Sequence, residues 1–152
     1  MRRKDKAITD KASVEAIVLR SWVCRLAMAD NGRPYVIPLC FGYRDNRLYF
    51  HCAREGKKLD ILRKNNNVCF EVDIGHELMI SDDSHRCSMK YQSVVGFGKA
   101  SFVETYEDKC RALDVITEHY AGRSFPYDEA TVKRTVIIRV DIHSMTGRGS
   151  GY

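Results

Sequence analysis

The stretch LYFHCAREGKKLDILRKNN, Leu48 to Asn66, joins the end of a β-strand to a short helix. Leu48, Tyr49 and Phe50 have the aromatic and aliphatic character of a strand, and Gly56 breaks it. Lys57 and Lys58 then open a helix in which Leu59, Ile61 and Leu62 are available for burial. Two lysines at that end sit where the aligned peptide dipoles already place partial positive charge. An anion held by the free backbone N–H groups and the two ammonium groups would reverse that penalty, and phosphate is the obvious candidate. The same residues also read as an ordinary solvated helix start.

The segments on either side repeat a β-rich grammar. Upstream, Thr9 to Ser21 predicts a helix that Ser13 caps, with Val14, Ile17 and Val18 on one face. A strand from Val23 to Ala29 is followed by Asp30-Asn31-Gly32, a type I′ hairpin signal. The partner strand runs from Pro34 to Tyr43, and Asp45-Asn46 turns the chain into a strand from Arg47 to Cys52. Downstream come a strand from Val68 to Asp73, a loop or ragged strand from His76 to Ser88, and a strand from Lys90 to Glu104 bent at Gly96 and Gly98. Thr105 to Tyr120 predicts the clearest helix, capped by Thr105, stopped by Gly122, with Cys110, Leu113, Ile116, Thr117 and Tyr120 inward. A helical turn from Asp128 to Lys133 precedes the last strand, Thr135 to Ile142, in which Val136, Ile138, Val140 and Ile142 share a face. The glycine-rich tail from Thr146 to Tyr152 is expected to fray. About six strands joined by hairpins, with flanking helices, predict a mainly β fold that closes into an antiparallel barrel.

Composition narrows the function classes. At 152 residues, 44% hydrophobic and 30% charged, the chain predicts one globular domain over residues 1–152. No apolar run is long enough to span a bilayer, and the N-terminal MRRKDKAITDKAS has no apolar core of a secretory signal, so the expected compartment is the cytoplasm. The net charge of +5 is dispersed among acids, which argues against nucleic acid as a partner. The six cysteines, Cys24, Cys40, Cys52, Cys69, Cys87 and Cys110, show no C-x-x-C spacing, so no metal site is expected and they read as reduced, buried thiols. Trp22 and Tyr35 read as core or dimer-interface aromatics rather than cofactor stackers.

Taken together, Val23–Tyr43, Leu48–Asp73 and Tyr91–Ala100 resemble the FMN-binding split barrels of the pyridoxamine 5′-phosphate oxidase superfamily, in particular its nitroimidazole-resistance (Nim) branch. The resemblance covers Trp22 to Gly147 and implies a six-stranded antiparallel split β-barrel with flanking helices. The family binds the FMN phosphate with a Ser-Arg-Lys segment before a helix ending in Asn-Pro; here Gly56, Lys57 and Lys58 fall on those positions and Asn65-Asn66 on the helix end. Lysine at 57 replaces a bidentate fork with a point charge, and glycine at 56 keeps a backbone N–H that can approach phosphate. Tyr91-Gln92-Ser93-Val94 falls on the family's Tyr-Arg-Gln-Val, which puts Ser93 on the flavin-contacting glutamine position. Pro38, Leu39, Cys40 and Phe41 would run along the isoalloxazine edge, and Tyr49, Phe50, His51 and Cys52 would flank the cofactor at the strand end. In the Nim branch a histidine at that strand end lies beside the flavin, which gives His51 the catalytic role of donating a proton or holding substrate.

The implied assembly is a homodimer with FMN at the subunit interface, each site built from both chains. The implied function is that of a flavin-dependent reductase, taking electrons from NAD(P)H or another donor to a small acceptor such as a 5-nitroimidazole. The alternative is a carrier or sensor that binds FMN or haem without turnover. The chain ends in Ile142-His143-Ser144-Met145-Thr146-Gly147-Arg148 and lacks the Trp and Arg-x-His pattern of true pyridoxamine phosphate oxidases, which argues against that substrate.

Overall fold

The structure is a computed structural model that describes residues 4–83, 85 and 87–151; residues 84 and 86 of the predicted polar loop, and the terminal residues 1–3 and 152, lie outside it. After a 3₁₀ turn at Lys4–Lys6 the elements are β1 (Ala7–Ile8), α1 (Lys11–Arg20), β2 (Cys24–Asp30), β3 (Arg33–Leu39), β4 (Gly42–Arg44), β5 (Arg47–Cys52), α2 (Lys57–Lys64), β6 (Asn67–Met79), β7 (Ser88–Val103), α3 (Tyr106–Ala121), α4 (Glu129–Arg134) and β8 (Val136–Ser150).

Local chemistry explains most boundaries. Asn31 (φ 50°) and Gly32 (φ 82°) close β2 onto β3, and Asp45 (φ 52°) and Asn46 (φ 60°) close β4 onto β5, the positive φ pairs of type I′ turns. Helix α3 begins where Thr105 accepts from the Asp108 N–H and ends at Gly122 in the left-handed region. Helix α1 is capped by Asp10, whose carboxylate accepts from Ser13, so Ser13 is the capped residue rather than the cap.

Other predicted elements are corrected. The strand expected from Pro34 to Tyr43 breaks at Cys40–Phe41, where the Phe41 N–H donates to the Tyr120 hydroxyl at 3.0 Å instead of to a neighbouring strand. Strand β6 continues past Asp73 to Met79, with an irregularity between Ile74 and Glu77. The tail does not fray: β8 continues to Ser150, paired with β7 as far as Tyr91 and with β1 through Arg148 and Gly147. Two flanking strands supply the hydrogen bonds that a glycine-rich tail lacks by itself. The bend expected at Gly96 and Gly98 is a register shift between Phe97 and Gly98.

All eight strands form one antiparallel sheet in the order β3-β2-β6-β7-β8-β5-β4, with β1 beside β8. Its two edges, β3 and β4, are consecutive in the chain. A flat sheet of that width would hold its edges roughly 29 Å apart at ~4.8 Å per strand spacing. The three residue steps from Leu39 to Gly42 reach at most ~11 Å. The sheet therefore rolls until its edges meet at the Cys40–Phe41 corner without pairing, which is a split barrel.

Leu26, Phe41, Leu48, Phe50, Leu59, Phe70, Val72, Val94, Ile138 and Val140 are fully enclosed in the barrel core, which Val14, Ile17 and Val18 of α1 complete. Ala112, Val115, Ile116, Val132 and Ile137 are buried outside that cluster, where α3 packs on β4 and β5 and α4 packs on α3. Of the predicted inner stripe of α3, Ile116 is buried, Cys110, Leu113 and Thr117 are half-buried and Tyr120 is exposed, while Ala112 and Val115 are the buried positions the stripe missed. The reason is close approach: a Cβ on Gly42 would lie 2.7 Å from the backbone of Val115 and Ile116, so the missing side chain selects which face of α3 docks. Of the cysteines, all free, only Cys24 is fully buried; Cys40 and Cys87 are exposed. Trp22 is 76% exposed and is not a core residue. No helix among the described residues is long and apolar enough to cross a membrane.

Candidate functional site

Helix α2 starts abruptly. Gly56 stands at its N-cap with φ 147°, a conformation that L side chains rarely adopt, and no side chain caps the end. The N–H groups of Leu59 and Asp60 turn back to the Gly56 carbonyl, which leaves those of Lys57 and Lys58 facing outward. Leu59, Ile61 and Leu62 anchor the helix in the core, as predicted. Lys57 is exposed, and its ammonium lies 4.9 Å from the centre of the Tyr35 ring, a cation–π contact that ties the helix start to β3. Lys58 is half-buried, and its charge acts on Cys52, whose thiol is nonetheless pushed up by burial. The helix start, the end of β5 and strand β3 therefore converge.

The residues of β5 divide between two faces. Phe50 is fully buried in the barrel, and Cys52 packs against the same core. Tyr49 and His51 point the other way; the His51 side chain is exposed and makes no hydrogen bond among the described residues. Tyr49 lines a cleft of about 510 Å³ beneath α3. Its arginines already have partners: Arg44 with Glu118, Arg47 and Arg139 with Asp141, and Arg111 with Asp108. That cleft is electrostatically closed to an anion, unlike the start of α2.

Strand β3 is a sheet edge. Pro38 and Cys40 are exposed, Leu39 is half-buried, and Phe41 is fully buried. Prolines at 34 and 38 suit an edge, because they remove donors that would template pairing with another chain. The side chain of Phe41 belongs to the core and its N–H to Tyr120, so this corner is a fixed support. His119 reinforces it, packing 4.5 Å from the Phe41 ring while its Nε2 bonds the Ser21 carbonyl at 2.8 Å. Tyr120, its hydroxyl pushed up to about 12 by burial, donates to the Trp22 carbonyl.

Ser93 stands apart from these residues. It lies on the outer face of β7, opposite the buried Val94, paired with Asp73 on one side and Arg148 on the other. From Pro38 the row runs through Arg25 and Glu71 to Val95, two residues from Ser93. Three strand spacings, ~14 Å, separate that edge from Ser93's strand. Arg25 fills the interval, bridging Glu71 and Asp73 at 2.9 Å each, and burial raises the Glu71 carboxyl, with the Asp73 charge adding to it. The start of α2 is thus tied to β3 through Lys57 and Tyr35 and to the end of β5 through Lys58 and Cys52, while Ser93 stands across an ion-pair cluster from β3.

The sequence did not single out Tyr35 as the partner of Lys57, the Arg25–Glu71–Asp73 cluster, the Tyr120–His119 support or Arg148. The polar alternation Arg25, Glu71, Asp73, Ser93 on strands whose other faces are apolar was a usable signal; the Lys57–Tyr35 contact depends on long-range folding and left none. Arg148 was assigned to the fraying tail, although its Nε is buried without a hydrogen-bond partner among the described residues.

The comparisons agree with this architecture. A candidate 5-nitroimidazole antibiotic resistance protein of Bacteroides thetaiotaomicron is 37% identical, with 94% of this chain and 86% of that one aligned at a TM-score of 0.85. A FAD-binding protein of Mesorhizobium loti is 25% identical over 94% of this chain and 96% of that one, TM-score 0.68. A FAD- and haem-binding protein of Mycobacterium smegmatis, at 17% identity over 97% and 74% of the two chains and a TM-score of 0.85, shares the fold. No curated protein matches the sequence significantly. The pyridoxamine 5′-phosphate oxidase family model matches residues 10–149, nearly the whole chain, and to that family the protein belongs.

Proposed function

We propose that the protein binds FMN and works as a flavin-dependent reductase of small acceptors, nitroaromatic compounds among them. The observation that carries this reading is the start of α2: Gly56 without a side chain, two outward backbone N–H groups, and the Lys57 and Lys58 ammonium groups beside the edge strand β3. Those donors fit a phosphate, and the family membership and the 37% identity to a candidate nitroimidazole-resistance protein support a flavin as its bearer.

In this reading Lys57 and Lys58 neutralise the phosphate, and the outer edge of β3 from Pro38 to Cys40 lies along the isoalloxazine. A bound flavin supplies hydride and electron transfer. Tyr49 and Cys52 flank the strand end, while Phe41 and Phe50, enclosed in the core, contribute only backbone and rigidity. His51, exposed and unpaired, holds an acceptor or gives it a proton. Ser93, held away from this cluster within one protomer, meets the flavin of a second copy. The functional unit is accordingly a cytoplasmic homodimer with each site drawn from both chains, NAD(P)H being the donor.

The test is a visible spectrum of the purified protein with mass spectrometry of the released ligand, followed by FMN titration of Lys57→Ala/Lys58→Ala. Removal of two charge-assisted contacts is expected to weaken FMN binding by at least about tenfold for each. Undiminished affinity would remove the phosphate assignment. Titration with NADH or NADPH separates a reductase from a carrier, whose flavin stays oxidised.

A further inference from the structure

Lys57 is held unlike the other cations of this surface. Arg25, Arg44, Arg47, Arg111 and Lys133 each pair with a carboxylate. No carboxylate pairs with Lys57 among the described residues, and Asp60, the acid one turn along the same helix, is taken by Arg63 at 3.1 Å. The Lys57 ammonium sits instead 4.9 Å from the centre of the Tyr35 ring.

The position of that ring is set by the barrel and not by the lysine. Tyr35 lies in the middle of β3, across from the buried Met28 of β2. It is half-buried and packs on the core from the same side of the strand as Ile37 and Leu39, while Pro34 and Val36 on either side of it are exposed. Helix α2 lies against β2, which brings Lys57 over the ring.

A carboxylate and an aromatic face hold an ammonium with different consequences. A carboxylate cancels the charge and occupies the donors, so an incoming phosphate would have to displace it. A ring face attracts the cation through its quadrupole and carries no net charge, so the full charge and the N–H donors stay available to an anion. The lysine stem also gives up rotamer freedom whenever it grips an anion, and a contact that orders it beforehand lowers that cost of binding.

We propose that Tyr35 is a positioning residue for the phosphate-binding start of α2, an inference that rests on the flavin reading. Its ring holds the Lys57 ammonium in place without neutralising it, which tightens the hold on a flavin phosphate and favours FMN over riboflavin. Tyr35 acts through Lys57 alone and does not touch the ligand.

The experiment measures FMN and riboflavin dissociation constants for the wild-type protein, Tyr35→Leu, Lys57→Ala, the Tyr35→Leu/Lys57→Ala double variant and Tyr35→Phe, with near-ultraviolet circular dichroism as the check on folding. Mono- and trifluorinated phenylalanine at position 35 complete the set, because fluorine drains the negative face of the ring with little change of shape. Tyr35→Leu is expected to weaken FMN about two- to fivefold, the worth of one partly exposed cation–π contact, and to leave riboflavin unchanged. Lys57→Ala and the double variant should bind FMN equally, since the ring then has nothing to position. Tyr35→Phe should keep wild-type affinity, and fluorination should lower it stepwise. Wild-type FMN affinity in a folded Tyr35→Leu would overturn the proposal. Tighter binding there would do the same, because the ring would then compete with phosphate for the ammonium. Additive losses in the double variant, or equal losses for FMN and riboflavin, would show that Tyr35 acts apart from Lys57 and would also overturn it. If Tyr35→Leu does not fold, the fluorinated series decides, a flat series counting against the ring. If Lys57→Ala weakens FMN while Tyr35→Leu does not, this inference fails and the flavin reading stands. A wild-type protein that takes up no FMN removes both.

Discussion

Alternation along β5 governs what each side chain can do. Phe50 closes the core while its neighbours His51 and Tyr49 look outward, so one short strand serves both stability and chemistry. Glu71 shows how electrostatics on the outer face carries a cost. Burial is the largest cause raising its carboxyl above the ordinary 4.5, and the adjacent Asp73 adds to it, while Arg25 only partly offsets them. A carboxyl raised in the folded state contributes stability that is complete below its unfolded value and is lost as pH rises through the folded one. Glu71→Gln removes that pH-dependent loss and leaves Arg25 paired with Asp73. Thermal melts should find the variant at least as stable as wild type at pH 7, with its advantage shrinking to nothing as pH falls below about 4.5. A deficit at pH 7 that disappears as pH falls below about 4.5 would mean that the Arg25 contact outweighs burial.

Among the elements, hairpins were the most legible. Asp30-Asn31-Gly32 and Asp45-Asn46 encode their turns in residues that tolerate positive φ, and each was found where the sequence put it. Strand Arg47 to Cys52, the Lys57 helix and the Thr105 cap were equally plain, because strand character, a breaker or a cap lies within a few residues of each boundary. What failed was non-local. The Cys40–Phe41 break depends on Tyr120, the ordering of the tail depends on β7 and β1, and the docking face of α3 depends on Gly42, all distant in sequence. The candidate site divides in the same way: Gly56 to Lys58 could be read locally, whereas the separation of Ser93 from them is a property of strand order. Gly42→Ala tests the α3 argument. The added methyl meets helix backbone at 2.7 Å, which cannot rotate away as a side chain could. Denaturant unfolding should register a loss of about 1–3 kcal/mol, the usual cost of overpacking a well-packed interface. Unchanged stability would show that α3 docks with slack.

In the proposed function a second copy completes the site, and the outer face of β6 and β7 is where that copy would meet it. Helix α1 completes the core against β6, β7 and β8, α2 lies against β2, α3 covers β4 and β5, and α4 packs on α3. The outer positions of β7 are Met89, Tyr91, Ser93, Val95 and Phe97, and Leu78 of β6 pairs with Met89 on the same side. Phe97 is 55% exposed and Leu78 68%, so apolar side chains stand in water at both ends of a strip whose middle holds Ser93. Scattered exposed apolar residues need no explanation, but a strip in register along one hairpin suits a self-complementary two-fold interface. Phe97→Glu puts a charge on that strip and leaves the core untouched, because Phe97 packs outside it. The expected result is a folded chain that elutes as a monomer by size exclusion with light scattering and binds FMN more weakly, since Ser93 and Lys57–Lys58 of different copies no longer meet. A variant that stays dimeric with wild-type FMN affinity would move the interface elsewhere. A folded monomer that keeps full affinity would show that a single chain completes the site, and Ser93 would then have no part in it.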